Sequence, residues 1–145
     1  MCSSDLAVRC SFWEALVRGR FTHSNRRKLS RSDVEARRVV SFSSTETLIL
    51  IDLRDDGPIR IGAPTAVTHD TNHAAGRALS ATTYADVPEA DGILYQSRFT
   101  GHLCVAVFDR AFGKLKSLNV TPLVEHADFL DSLDDYDITF DTEPN

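Results

Sequence analysis

What the chain lacks narrows its class. Its 145 residues contain three cysteines, Cys2, Cys10 and Cys104, scattered and without a C-x-x-C pair. An odd count with no close spacing offers no disulfide framework and no zinc-ribbon pattern, so the thiols read as reduced and structural. No apolar run approaches the roughly 20 residues of a membrane-crossing helix, and Leu48–Ile51 is far too short. No charged start leads into an apolar signal segment, so the chain reads as cytoplasmic. The phosphate-cradling GxGxxG and P-loop patterns, the metalloprotease HExxH and the serine-nucleophile GxSxG are all absent. No internal repeat appears.

A chain this long with 42% hydrophobic and 26% charged residues reads as one soluble globular domain. Its net charge of −5 argues against nonspecific nucleic-acid binding. The charge is uneven: residues 1–40 hold nine Lys and Arg against four acids, whereas 124–145 hold eight acids and no Lys or Arg. A solvated acidic tail facing a basic surface explains this, and so would a basic patch for a phosphate-bearing ligand. His69 and His73 stand one helical turn apart, but a third ligand is missing, so capping or surface roles fit them better than a metal.

Apolar spacing predicts a helix after the Ser3-Ser4-Asp5 cap candidates, with Leu6, Phe12, Trp13, Leu16 and Val17 inward and Gly19 ending it. Glu14 sits in that helix, either as an exposed i, i+4 partner of Arg18 or as a carboxylate at a pocket edge; the residues alone favour the ion pair. Ser32-Asp33-Val34-Glu35 has the S-x-x-E pattern of a helix start, followed by a strand through Val39, Val40 and Phe42. Thr47–Leu53 reads as a strand apolar on both faces, hence central, ended by Asp55-Asp56-Gly57-Pro58.

Asp70 is placed to cap a helix running to about Tyr84, with Pro88 preventing continuation. Two strands, Ile93–Gln96 and Leu103–Phe108, follow with a short connection between them. Thr121 and Pro122 look like the cap and first position of a last helix facing inward through Leu123, Ala127, Leu130 and Leu133, and Ile138–Phe140 like an edge strand. Helices interleaved with strands give an α+β (mixed α/β) class with a mixed sheet.

Within this frame four stretches stand out: Phe12-Trp13-Glu14, Leu48–Leu53, His73-Ala74-Ala75-Gly76-Arg77-Ala78-Leu79-Ser80, and Asp91-Gly92-Ile93-Leu94-Tyr95-Gln96-Ser97-Arg98 followed by Leu103–Asp109. Together, over residues 5 to about 112, they resemble the RES domain family. The resemblance implies a fold similar to ADP-ribosyltransferases, a mixed sheet flanked by helices over residues 1–120, with 121–145 as a C-terminal helix and acidic tail of the same domain. It implies an NAD-degrading toxin that cleaves the nicotinamide–ribose bond by phosphorolysis or hydrolysis, with NAD as substrate and no further cofactor or metal. The partners it implies are an Xre-family antitoxin and a second copy of the chain, with no membrane or direct nucleic-acid contact.

Glu14 matches the family's glutamate and Ser97 its serine. The family's arginine lies upstream of the glutamate helix and its tyrosine falls around positions 1 to 4, where Met1-Cys2-Ser3-Ser4 offers none; the expectation is an N-terminally incomplete copy. In the implied site Glu14 is catalytic, steadying positive charge on the ribose. Ser97 is a substrate-binding hydrogen-bonding group. Arg98 is either a bidentate pyrophosphate ligand or an exposed turn arginine, and Tyr95 either stacks on a ring or packs in its strand. Arg77 reads as structural, and His102 as a loop histidine near the turn. Two other readings stay open: a catalytically impaired RES-fold remnant that binds NAD or an antitoxin, and an unrelated mixed fold in which DGILYQSR is only a hairpin.

Overall fold

A computed structural model describes residues 4–17, 27–63 and 73–141. In chain order its elements are α1 (Ser4–Phe12), a π-helical turn Trp13–Val17, β1 (Lys28–Ser30), α2 (Arg31–Glu35), β2 (Arg38–Ser44), β3 (Leu50–Asp52), α3 (Gly57–Arg60), α4 (His73–Asp86), β4 (Gly92–Gln96) and β5 (Leu103–Val107). A 3-10 turn Asp109–Lys114, β6 (Leu115–Pro122), a second 3-10 turn Leu123–Glu125, α5 (Ala127–Asp135) and β7 (Thr139–Asp141) are the remaining elements among the described residues. The fold is α+β, as the interleaved pattern predicts. Two compact units form: residues 1–42 with 117–145, and residues 43–116.

The first unit is held by apolar residues that helical spacing and strand alternation deliver to one interior. Phe12, Leu16 and Val17 meet Leu29 of β1, Val34 of α2, Leu123, Phe129 of α5 and Ile138. Phe12 and Phe129 pack edge to face at 5.2 Å, and Trp13 and Tyr136 at 4.7 Å, geometries that suit the aromatic quadrupole. Arg9 pairs with Asp135 and lies 5.7 Å over the Tyr136 ring. β1 and β7 run parallel with Leu29 opposite Phe140.

Two sequence expectations change here. The cap of α2 is Ser30, not Ser32: Ser30 is extended at the end of β1, and its Oγ accepts the Asp33 N–H at 3.3 Å. The chain therefore turns two residues before the S-x-x-E pattern suggests. The last helix does not begin at Thr121 and Pro122, because β6 runs through Pro122, whose ψ of 135° is extended. α5 starts at Ala127, and its buried face is Phe129 and Ser132, while Ala127 and Leu130 are exposed. Proline's fixed φ suits an extended strand end as well as a helix start.

In the second unit β4 is the middle strand, parallel to β3 and antiparallel to β5, with Ile51 opposite Ile93 and Tyr95 opposite Cys104. Leu53, Ala90, Ile93 and Phe108 form its core, and Ile51, Leu79 of α4, Val87 and Tyr95 pack on it. The expected central strand 47–53 is thus corrected. β3 is three residues long and, among the described residues, is bonded only to β4, with Ile49 exposed. Its entry is fixed by Asp91 rather than by a second neighbour: the Asp91 carboxylate accepts the Ile49 N–H at 2.8 Å, and the Asp91 N–H donates to Ile49 O at 2.7 Å. Two-sided apolarity did not mean two-sided pairing.

Gly92 carries the close approach in this sheet, since a Cβ there would lie 2.3 Å from Ala106 O of β5. α4 confirms the alanine-rich helix ending before Pro88; its expected cap, Asp70, lies outside the described residues, as do Gly19, Arg18, His23 and His69.

Candidate functional site

Glu14 belongs to the first unit, in the π-helical turn that continues α1. A π turn inserts one residue into the helical ladder and is common where a side chain must be aimed out of register. Glu14 is half-buried beside Trp13, with Leu16 and Val17 buried behind it. Its carboxylate makes no hydrogen bond or ion pair among the described residues; Arg18, the i+4 partner the sequence suggested, lies outside them. A half-desolvated carboxylate on a rigid helix turn is a group able to face a developing positive charge.

Tyr95, Ser97 and Arg98 belong to the second unit, on β4 and the connection to β5. The loop is fixed mostly through Ser97, which is 2% exposed. Ser97 N–H donates to His102 O and Gly101 N–H to Ser97 O, both at 2.8 Å. Ser97 Oγ accepts the Phe99 N–H at 3.2 Å and the Thr100 N–H at 3.4 Å. Gln96 Nε2 donates to Gly101 O at 2.7 Å, and Gly101 takes the left-handed φ of 71° that closes the turn. The hydroxyl's acceptor capacity thus serves the loop, and its single O–H remains the donor for anything else.

Arg98 projects from this braced turn, exposed, with its guanidinium 4.7 Å over the Phe99 ring. Tyr95 is half-buried and packs against the core of its unit. His102 is half-buried, and Arg77 lies exposed on α4. The structure therefore brings Ser97, Arg98 and His102 to one loop, with Tyr95 two residues before Ser97 on the strand beneath it.

Sequence reasoning missed two polar constellations. Arg54 holds both oxygens of Asp52, donating from its backbone N–H and Nε to Oδ1, each at 2.9 Å, and from Nη2 to Oδ2 at 2.6 Å, at an open depression also lined by Leu50, Asp56 and Arg60. Hydrogen bonding from Arg54 holds the Asp52 carboxyl at about 2. The signal was the D-x-R spacing at the end of a strand. The second is Asp91, a buried carboxylate whose Oδ2 accepts from Lys114 Nζ at 2.8 Å as well as from Ile49. Lys114 first and the Ile49 amide second hold its carboxyl below the usual range. Its partners are 23 and 42 residues away, beyond any local pattern.

Among the described residues no three His, Cys, Asp or Glu side chains gather as a metal site would need, and no helix is long and apolar enough to cross a membrane. The His69–His73 pair is not among the side chains described.

The fold and these residues define an α+β protein of two units, one presenting a half-buried glutamate on a helix and the other a serine-braced hairpin loop. Residues 3–130 match the RES domain family model, and the chain belongs to that family. A relative named probable toxin y4kH, from Sinorhizobium fredii (strain NBRC 101917 / NGR234), is 34% identical over 99 residues, 68% of this chain and 78% of the relative. No solved structure matches the chain.

Proposed function

We propose that this chain is a RES-type toxin-like protein that degrades NAD+ by cleaving its nicotinamide–ribose bond. Membership of the RES family over residues 3–130 carries the reading, supported by a relative named as a probable toxin. In the step proposed, the bond between ribose C1′ and the pyridinium nitrogen breaks, and nicotinamide leaves with the electron pair. An oxygen of phosphate or water bonds to C1′, and with water a proton is released. Glu14 faces the oxocarbenium-like ribose, where a carboxylate lowers the barrier by charge stabilisation. Arg98 offers a planar fork to the pyrophosphate. Ser97 shapes the loop and keeps one hydroxyl proton to donate. An Xre-family antitoxin, a homodimer and action in the cytoplasm belong to the same proposal.

Purified protein incubated with NAD+, with and without phosphate, should release nicotinamide, and Glu14→Ala should lower the rate at least about a hundredfold, the scale of one lost electrostatic stabiliser. Equal release by the wild type and the Glu14→Ala protein would remove Glu14 from the chemistry. A second reading, a RES-fold protein that binds NAD or an antitoxin without turnover, is favoured by one observation: the Ser97 hydroxyl is buried and already engaged by two loop amides. Saturable NAD binding without nicotinamide release would establish it.

A further inference from the structure

The strand β5 ends the sheet of the second unit, with β4 on one side and no neighbour on the other among the described residues. Which of its backbone groups are used follows from the register. The Phe108 N–H donates to Asp91 O and the Ser97 N–H to His102 O, so these are the bonded pairs at the two ends of the hairpin. In an antiparallel ladder bonded pairs alternate with unbonded ones, which makes Ala106 opposite Ile93 and Cys104 opposite Tyr95 the bonded pairs between those ends. Leu103, Val105 and Val107 therefore turn their N–H and C=O groups away from β4. No hydrogen bond engages those groups among the described residues. Their side chains lie on the face opposite Ile93 and Tyr95, which belong to the core side, and Leu103 and Val105 are 49% and 46% exposed.

An open sheet edge is ordinarily blunted by a charge, a proline, a bulge or a very short strand. β3, at the other edge, is three residues long and ends at Asp52, which is ion-paired with Arg54. β5 has none of these devices: Leu103-Cys104-Val105-Ala106-Val107 carries no charge and no proline, and it pairs with β4 residue for residue. An extended segment completes such an edge, and an uncharged strand offers nothing to select an acidic or a basic one. Its own sequence fits it. With a two-fold axis at Val105, antiparallel pairing sets Leu103 of one copy against Val107 of the other, and every outward N–H meets an outward C=O. The flanking charges agree, since Arg98 precedes the strand and Asp109 follows it, so antiparallel pairing brings opposite signs to each end where parallel pairing would bring like signs. Arg110 is turned aside onto the Tyr84 and Phe108 rings, 4.2 and 5.1 Å from their centroids. We infer that the β5 edge joins a second copy of this chain, running the two sheets into one.

This contact rests on the homodimer included in the proposed function and not on the NAD chemistry, so its readouts are association and amide exchange. Sedimentation of the full chain should show a dimer. In that dimer the Leu103, Val105 and Val107 amides should exchange about tenfold more slowly than in the diluted monomer, while the Cys104 and Ala106 amides, already held by β4, should change less. Val105→Lys sets two cations opposite each other at the axis and should raise the dimer dissociation constant about tenfold or more with unchanged circular dichroism. Val105→Pro removes an N–H that β4 does not use and should have the same effect. A chain that stays monomeric throughout a concentration series would overturn the inference, and nicotinamide release by that monomer would leave the NAD reading standing. A dimer that survives Val105→Lys would also overturn it. So would one whose Leu103, Val105 and Val107 amides exchange as fast as in the monomer, because the second copy would then sit elsewhere.

Discussion

Replacing Ser97 by alanine separates two roles that one hydroxyl can hold. Its Oγ accepts one N–H at 3.2 Å and another at 3.4 Å, from Phe99 and Thr100, both half-buried. Leaving a buried donor unpaired costs about 1–3 kcal/mol, and partial access of water to these two amides puts the total at about 1–2 kcal/mol. The main-chain bonds from Ser97 to His102 and from Gly101 to Ser97 survive the substitution, so the loop should loosen without losing its path. Amide hydrogen exchange is the assay suited to a local change, since a loss of one or two kcal/mol speeds opening about 5- to 30-fold. The Phe99, Thr100 and Gly101 amides should exchange faster by that factor, while those of the first-unit core, such as Phe129, should not change. Any activity should fall in step with loop opening. Unchanged exchange in the loop together with lost NAD binding or turnover would refute this reasoning, because the hydroxyl would then act on ligand and not on the turn.

Three further outcomes follow from packing and charge. Phe129→Ala, at a fully buried aromatic in edge-to-face contact with Phe12, should cost about 3–5 kcal/mol, read as a lowered urea midpoint. Gly92→Ala should destabilise the second unit by about 3 kcal/mol or more, because its methyl group meets the Ala106 carbonyl and a middle strand has little room to shift; stability equal to wild type would mean that β4 and β5 separate there. Asp52 and Asp91 both have folded-state values lowered by a basic partner, so their contribution is complete above the ordinary carboxylate range and is lost as pH falls through the lowered values, about 2 for Asp52. Stability should therefore decline on acidification below about pH 4, and Lys114→Met should flatten that decline by removing the partner that holds Asp91 ionised.

Local chemistry explains which parts were legible. The amphipathic spacing of Phe12, Leu16 and Val17 marked the first helix, and the alanine-rich run before Pro88 marked α4. The apolar stretches on either side of the Ser97–His102 turn marked the β4–β5 hairpin, because short-range pairing is encoded in adjacent residues. Glu14 and Ser97 were picked out by family resemblance, not by any local signature of catalysis. Capping and pairing were harder to read: Ser30 and Ser32 are chemically equivalent cap candidates, and only the path of β1 decided between them. Pro122 suits a strand end and a helix start alike.

The sequence by itself determined the α+β class, the order of most elements and the family, because these depend on periodicity, turn chemistry and motif. Tertiary structure alone decided that β3 is tied down by Asp91 and that the Ser97 hydroxyl braces its own loop by accepting the Phe99 and Thr100 amides. Asp91 and Ile49 are 42 residues apart, and even for the local Ser97 contacts the side chain's role is fixed by which backbone group arrives beside it.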